Sequence, residues 1–288
     1  MVKTAVNVWL RRGGKTLWQR FLAQSTEWKL HWLLRLGVGM EFVGHGACGL
    51  HTKAGWLPYF GVFAIPEAMA WKIMPWVGAM DVALGLSALL APRRAVLLYM
   101  GVWGAFTALL RPAAGEGWFE AIERAYNYGV PFAFLLLHGW ATGRRDWFAV
   151  LRTVPALTPE RERALRWLLR AVVGLMLIGH GGFGPFLAKK NLLGFYDAVG
   201  LDHLGLPLET IRAGIGFLEI GLGVTVFLVR SPRFFASVCL WKITTESLFL
   251  VASAPLACWE IIERGGSYVA PLAVLCLLLH ERRRTATD

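Results

Sequence analysis

Two stretches of the chain decide its fold: RLGVGMEFVGHGACG at residues 35–49 and RAVVGLMLIGHGGFG at residues 170–184. Each is an apolar run that ends in a Gly-His-Gly step, and the two runs lie about 135 residues apart. Runs of this length with so few charges are typical of membrane-embedded helices. Their similarity is the first sign of an internal repeat.

Two further pairs of segments follow in the same order. The stretch GAMDVALGLSALL (78–90) matches GFLEIGLGVTVFL (216–228), and WFEAIERAYNYGVP (118–131) matches WEIIERGGSYVAP (259–271). The offset stays between about 135 and 140 residues. Chance similarity between apolar helices would not keep such a register, so the pattern indicates a duplication.

The composition agrees with a membrane protein. Of 288 residues, 56% are hydrophobic and 17% are charged, whereas soluble domains carry about a quarter charged residues. The apolar segments lie at residues 31–49, 70–91, 94–111, 126–142, 163–183, 209–229, 233–253 and 267–280. The sequence therefore predicts an all-α polytopic membrane protein built from two tandem four-helix bundles, with about eight transmembrane helices.

The predicted division of the chain follows from the repeat. The first four-helix repeat occupies residues 31–145 and the second occupies 163–281, with a cytoplasmic linker at 146–162. Because each repeat has an even number of helices, both copies should point the same way and be related by an axis along the membrane normal. Residues 1–30 interleave Trp and Leu with Arg and Lys, which predicts an amphipathic cytoplasmic segment, and 282–288 form a basic tail.

The net charge of +11 comes from Arg and Lys at the ends of apolar runs. That distribution reflects membrane topology and argues against a nucleic-acid partner. The denser Arg clusters, such as Arg93/Arg94 and Arg144/Arg145, fall on one side. We therefore expect both termini in the cytoplasm, in a multi-pass protein of the bacterial inner membrane. The expected partners are the lipid bilayer and other membrane protein subunits.

The repeated motifs resemble the DoxX family of small four-helix membrane proteins. The resemblance rests on GHGACG (44–49), GHGGFG (179–184), MDVALGL (80–86) and LEIGLGV (218–224), and it covers nearly the whole chain past residue 30. The family commonly has a Lys four residues after the His position, where this chain has glycine and places Lys53 and Lys189 later. The resemblance implies a redox-associated protein, a subunit of a larger complex or an assembly factor.

Titratable residues inside membrane helices are candidates for a site, because each costs about 2.5–3.5 kcal/mol to insert. His45 lies one helical turn after Glu41, and His180 is its counterpart in the second repeat. Asp81 and Glu219 occupy matching positions in the second helix of each repeat. All five are predicted to contribute to cofactor binding.

A second set of candidates recurs at the start of the fourth helix of each repeat. These are Glu123, Arg124 and Tyr128 in the first repeat and Glu263, Arg264 and Tyr268 in the second. We expect them at the outer mouth, where an ion pair costs little, and together with the histidines they would line an outward-facing polar crevice. The copies also differ: Glu41 corresponds to Met176, and Gly104 and Ala108 correspond to Lys242 and Glu246.

Two interpretations of the histidines stay open. The crevice could bind a quinone headgroup, a metal on His45 or His180, or a haem between them. Alternatively, each histidine bonds a helix carbonyl or the carboxylate of Asp81 or Glu219 and only locks helix packing, which the flanking glycines would favour.

The remaining polar residues offer weaker signals. The cysteines (Cys48, Cys239, Cys258, Cys276) have no metal-type spacing and read as apolar fillers, with a Cys48–Cys258 disulfide as the alternative. The other histidines are predicted to face water: His31, His51, His138, His203 and His280.

The leading functional hypothesis is a redox-associated membrane protein that binds a quinone, metal or haem. The alternatives are a non-catalytic subunit or assembly factor of a membrane complex and a small-molecule transporter. The transporter is disfavoured because the sequence suggests no broken helices matched between the repeats. No phosphate loop or nucleophile motif occurs, so whether the protein is an enzyme stays open.

Overall fold

A computed structural model describes residue 19 and residues 23–285. Most of the predicted amphipathic segment 1–30 and residues 286–288 of the tail lie outside these described residues. Within them, regular secondary structure is helical, apart from one isolated bridge between Arg93 and Val150.

The helices of the first half are α1 (Thr26–Leu50), α2 (Leu57–Gly61), α3 (Glu67–Leu90), α4 (Arg94–Ala113), α5 (Trp118–Glu123), α6 (Ala125–His138) and α7 (Arg144–Phe148). Those of the second half are α8 (Pro159–Gly182), α9 (Asn191–Asp197), α10 (Leu208–Leu228), α11 (Pro232–Val251), α12 (Ala257–Glu263) and α13 (Gly265–Thr285). Each of the eight predicted apolar segments overlaps one helix, although α6 ends at His138, before the predicted end of its segment at 142.

Within the described part of the chain, six helices are long and apolar enough to cross a membrane. They are α3, α4, α8, α10, α11 and the stretch that joins α12 to α13. The all-α membrane class is therefore confirmed at this level. Helix α1 is long but carries Arg35 and Glu41, and α6 has only 14 residues.

Helix starts follow local sequence signals. Ser25 caps α1 by accepting a hydrogen bond from the Trp28 backbone nitrogen at 3.2 Å. Thr158 caps α8 in the same way through Arg161, with proline at the first helical position. Both helices therefore begin at the residues that carry these sequence signals.

The fourth helix of each repeat is interrupted. Helix α5 ends before Arg124 and α12 ends before Arg264, and a new helix starts at once in both cases. The expectation that no broken helices recur at matched positions is wrong. The sequence hides the break because the nearest prolines, Pro131 and Pro271, lie seven residues further on.

The two halves interlock rather than form separate units. Helix α1 packs on α12 and α13 of the second half, and α8 packs on α5 and α6 of the first. Helices α3 and α10 flank α1 and α8 respectively, and one hydrophobic core runs through both halves. This exchange gives the bundle a centre made from the first and fourth helices of each repeat.

The bundle has two distinct ends. Thr26 Oγ1 and His280 Nδ1 lie 3.1 Å apart, so both ends of the described chain meet at what we term the terminal end. The opposite end, the loop end, carries the connections 51–66 and 183–207. The site candidates lie towards the loop end.

Candidate functional site

The Gly-His-Gly step of α1 holds His45 between two close helix contacts. Gly44 packs directly on the backbone of Glu263, and Gly46 packs on the backbone of Gly78 in α3. A side chain at either glycine would collide with backbone atoms, so only glycine permits this approach. The position of His45 is thereby fixed on both sides.

The second half repeats this arrangement. Gly179 packs on the backbone of Glu123, and Gly181 packs on that of Gly216 in α10. His180 therefore occupies the same setting as His45. In both halves the first glycine contacts a helix of the other half, which the sequence alone does not reveal.

Each histidine bonds the acid on its neighbouring helix. His45 Nδ1 lies 2.8 Å from Asp81 Oδ2, and His180 Nδ1 lies 2.6 Å from Glu219 Oε2. This is the packing bond that the alternative interpretation predicts. It also orients each ring so that Nδ1 donates and Nε2 is left to accept a proton or a ligand.

The two acids differ in their second oxygen. Glu219 Oε1 accepts a hydrogen bond of 2.8 Å from Trp241 Nε1. The corresponding atoms of the first half, Asp81 Oδ1 and Trp103 Nε1, are both buried and have no hydrogen-bond partner among the described residues. Aspartate is one methylene shorter than glutamate, so the first half leaves a donor and an acceptor for other groups.

The Glu-Arg pairs form a buried charged core instead of an exposed mouth. Arg124 contacts Glu123 at 3.1 Å and Glu263 at 3.3 Å, and it donates to Tyr126 at 3.0 Å. Glu123 is 2% exposed and Arg124 is 8% exposed. The expectation that these pairs lie at an outer mouth is therefore wrong, and losing one partner of such a pair costs about 3–5 kcal/mol.

The second half of the charged core adds residues that the first half lacks. Glu246 contacts Lys242 at 2.5 Å and Arg264 at 2.7 Å, and Arg264 also contacts Glu260 at 2.9 Å. The chain of charges is thus continuous from α11 to α12. Lys242 is fully buried.

Loop residues close the charged core from the loop end. Lys53 pairs with Glu260, and Lys189 pairs with Glu120. The two lysines thus take matching acids in opposite halves. These loops cover the mouth, which explains why the charges below them are buried.

The predicted tyrosines lie beside the charged core rather than in it. Tyr128 is only partly buried, and the Tyr268 hydroxyl donates to the Ile261 backbone oxygen at 3.1 Å. The tyrosine that contacts Arg124 is Tyr126, which is fully buried. Sequence reasoning missed it because its counterpart in the repeat is Gly266, against which its ring packs.

His45 and His180 line separate cavities. The first cavity, of about 150 Å³, is walled mainly by aromatic and aliphatic side chains. It is lined by His45, Trp56, Tyr59, Phe60, Phe63, Ile65, Val77, Trp103, Phe106, Thr107, Ala108, Leu110, Arg111, Arg124, Asn127 and Glu263. We call it the His45 cavity.

The wall of the His45 cavity combines rings with a polar end. The imidazole of His45 stacks on Trp56 with ring centroids 4.4 Å apart. Burial raises the pKa of the Tyr59 phenol, so the hydroxyl stays protonated and donates to Glu116 at 2.7 Å. Phe63 and Phe106 are exposed and border the opening.

The second cavity, of about 100 Å³, is more polar and contains His180. Its lining includes Arg111, Glu120, Glu123, Arg124, Lys189, Glu246 and Arg264. Its charged groups are already engaged in ion pairs, namely those described above and the pair of Arg111 with Glu120 at 3.3 Å. A haem held between the two histidines therefore lacks a shared cavity here.

The divergence between the halves explains why only the first has an apolar cavity. Gly104 packs against the Asn127 backbone and Ala108 lines the His45 cavity. At the matching positions of α11, Lys242 and Glu246 project charged side chains into the bundle. Gly104 and Ala108 leave space for the cavity in the first half, whereas the Lys242–Glu246 ion pair occupies the corresponding space in the second half.

Glu41 lies where the sequence places it, one turn before His45. It is 2% exposed and lines a small chamber together with His45 and Asn127. It forms no ion pair among the described residues. Its counterpart Met176 is an ordinary core residue.

Two of the remaining histidines are not water-facing. His31 and His138 are buried, and their ring nitrogens lie 2.9 Å apart. The expectation that they face water is wrong because α1 and α6 bring them together near the terminal end. His51 and His203 are exposed as predicted.

All four cysteines are free, so no Cys48–Cys258 disulfide forms. The ligand atoms of Cys48, Glu260 and Glu263 lie close enough together to share a metal ion. Both carboxylates, however, already pair with cations, Lys53 and Arg124. Those positive charges oppose a metal at this place.

No family model, curated protein or solved structure matches the chain. The helices and contacts described above define a polytopic α-helical membrane protein with a buried charged core and a His-acid pair on each side of it.

Proposed function

We propose that this protein binds a quinone headgroup in the His45 cavity. The observation that carries the proposal is an apolar, ring-lined cavity whose lining includes His45 and Trp103, and Trp103 Nε1 has no hydrogen-bond partner among the described residues. A quinone carbonyl accepts hydrogen bonds and a quinol hydroxyl donates them. Trp103 would donate to one oxygen, and His45 would accept from the reduced form.

The size of the cavity suits a single ring. A protein cavity of about 150 Å³ holds benzene. The exposed Phe63 and Phe106 at the opening give an apolar tail a way out towards lipid. A haem would need a far larger space, since pockets for ligands of drug size measure about 300–1,000 Å³.

A metal is less suited to the same cavity. His45 and Glu263 are its imidazole and carboxylate ligands, and both Arg111 and Arg124 are present in the wall. A cation there would meet two guanidinium groups. The same guanidinium groups suit an electron-rich oxygen.

The His45–Asp81 pair defines the chemistry that the protein supplies. When a bound quinol gives up a proton, the O–H bond breaks and an N–H bond forms at Nε2, while Asp81 stabilises the imidazolium. The electrons pass to a redox partner protein, and in the reverse direction the same partner reduces the bound quinone. This role accords with a subunit of a larger membrane complex, the class to which the resemblance to the DoxX family also points.

The proposed setting is a membrane crossed eight times, by two tandem four-helix repeats. Both termini would lie in the cytoplasm of a bacterium, with the loop end outside. The support comes from the Arg-rich connections, since those at 93–94, 144–145, 230–233 and 282–284 all belong to the terminal end. Helices α1 and α5–α6 would then cross the bilayer despite their charges, shielded by the surrounding helices.

A transporter is a second candidate because of the matched helix breaks at Arg124 and Arg264. Interrupted helices that meet at mid-bundle are the usual place for a transported substrate. The two candidates differ in one measurement. A transporter reconstituted into liposomes moves a solute, whereas a quinone-binding subunit retains quinone and moves none.

The test of the quinone proposal is equilibrium binding of a short-tailed benzoquinone to the purified full-length protein in detergent. We expect His45→Ala to abolish binding, and His180→Ala, the matched change in the other half, to retain it. Equal binding by both variants and the wild type would exclude the His45 cavity. Both variants leave an acid without its histidine, so thermal melting checks that each is folded.

A further inference from the structure

Glu41 differs from the other acids at the loop end of the bundle. Glu120, Glu123 and Glu260 each face a cation, whereas Glu41 has none among the described residues. Its Oε2 is buried, packs beside Gly266 and has no hydrogen-bond partner there. A neutral carboxylic acid can be buried in this way at far lower cost than a carboxylate.

A small chamber joins Glu41 to the His45 cavity. The chamber measures about 10 Å³ and is lined by Glu41, His45, Trp103, Asn127 and others. His45, Trp103 and Asn127 also line the larger cavity, so the two spaces adjoin. The chamber is therefore the connection between Glu41 and any ligand beside His45.

The chamber suits one water molecule. A buried water needs about 10–15 Å³ and two to four polar partners. Asn127 and Glu41 both line the chamber, so the side-chain amide of Asn127 and the carboxyl of Glu41 can each contact the water. Apolar lining from Phe42 and Gly104 leaves no room for a larger group.

The second half does not reproduce this arrangement. Met176 stands in place of Glu41, and Lys242 stands in place of Gly104. The acid, the chamber and the open cavity occur together in the same half. Their coincidence indicates that they act together.

We propose that Glu41 is the proton donor for the ligand of the His45 cavity and that one water in the chamber relays the proton. This rests on the proposed function. When a redox partner protein reduces the bound quinone, its oxygen gains negative charge. The Glu41 O–H bond then breaks, the water passes a proton on, and a new O–H bond forms at the quinone oxygen, which leaves Glu41 as carboxylate.

The first experiment is infrared spectroscopy of the purified full-length protein in H₂O and in D₂O, without quinone. We expect a carboxylic acid C=O band that shifts in D₂O and is missing in Glu41→Gln. Glu41→Met, which introduces the residue of the second half, should also lack the band. Glu219→Gln is the matched control and should keep it, since Glu219 is bonded to His180 and Trp241.

The second experiment tests the water path. Asn127→Leu removes the side-chain amide that we assign to the water and fills the chamber. The Glu41 band should persist, but its exchange with D₂O should slow by about tenfold, the value of one lost hydrogen bond in a barrier. Leu109→Phe, on the exposed face of α4, should exchange at the wild-type rate.

Failure of these infrared experiments can be distinguished from failure of the quinone-binding test, because the infrared samples contain no quinone. Wild-type and Glu41→Gln spectra that agree in the carboxylic acid region would overturn the proposal, since Glu41 would then carry no proton. An unchanged exchange rate in Asn127→Leu would overturn the relay. Loss of the band in Asn127→Leu would likewise contradict the proposal, because this variant keeps Glu41.

Discussion

Filling the His45 cavity from within should remove its ligand without harming the fold. Ala108 is 3% exposed and lines this cavity. Ala108→Phe adds a phenyl ring, which is the size of molecule that a cavity of about 150 Å³ accepts. The ring would therefore take the space of the quinone headgroup.

The volume of the His45 cavity sets the expected effect of Ala108→Phe on the free energy of unfolding. At about 24 cal/mol per Å³, an empty cavity of about 150 Å³ costs up to about 3.6 kcal/mol, so filling it should keep or raise the free energy of unfolding. Binding should fall by more than about 100-fold, which corresponds to about 2.8 kcal/mol.

The assay is calorimetric titration of a short-tailed benzoquinone into the purified protein, paired with thermal melting. The control is Leu109→Phe, which adds the same ring to the exposed side of α4, where Leu109 is 55% exposed. It should bind as the wild type does. If Ala108→Phe binds quinone with unchanged affinity and remains folded, the ligand does not occupy this cavity. Loss of binding in the control as well would point to partition into detergent.

Three further outcomes are expected. Trp103→Phe removes an indole N–H that has no partner among the described residues, so it should weaken quinone binding by about 2- to 10-fold with little change in melting temperature. Trp241→Phe breaks the bond to Glu219, so it should lower the melting temperature and leave quinone binding unchanged. The reverse pattern would contradict the assignment of Trp103 to the quinone. Reporter fusions after Arg145 and Asp288 should report cytoplasm and a fusion after Ala188 should report the outside; a cytoplasmic signal at Ala188 would refute the topology. Arg264→Met should destabilise the protein by about 3–5 kcal/mol in chemical unfolding, since Glu246 and Glu260 lose a buried partner; a neutral result would show that the charged core contributes no stability.

Much of the fold could be predicted from the sequence because its physical signals are local. Apolar runs and the Ser25 and Thr158 caps define helix positions, and the repeat identifies His45 with His180 and Asp81 with Glu219. These inferences need no knowledge of which helices meet. The bond between each histidine and its acid is one of the two interpretations that the sequence leaves open, and only the structure selects it.

The rest depends on contacts between distant parts of the chain. Gly44 meets Glu263 only because α1 packs on the other half, and His31 meets His138 across 107 residues. The burial of Arg124 depends on loops that fold over the loop end. No periodicity in the sequence encodes these contacts.

Trp103 is an intermediate case. The sequence repeat aligns Trp103 with Trp241, so it predicts an indole at the same position in each half. That one indole is bonded and the other is left without a partner comes from the methylene by which Asp81 is shorter than Glu219. The difference is visible in the sequence, but its effect appears only once the distance between the helices is known.

Photoaffinity labelling tests the central claim most directly. A short-tailed azidoquinone, irradiated with the full-length protein and mapped by mass spectrometry, should label the peptides that contain Trp56–Phe63 and Trp103–Ala108. Excess unlabelled quinone should suppress both adducts, and Ala108→Phe should abolish them. Adducts confined to the His180 cavity, at Lys189–Tyr196 or Thr245–Phe249, or labelling that competitor leaves unchanged, would contradict a quinone site beside His45.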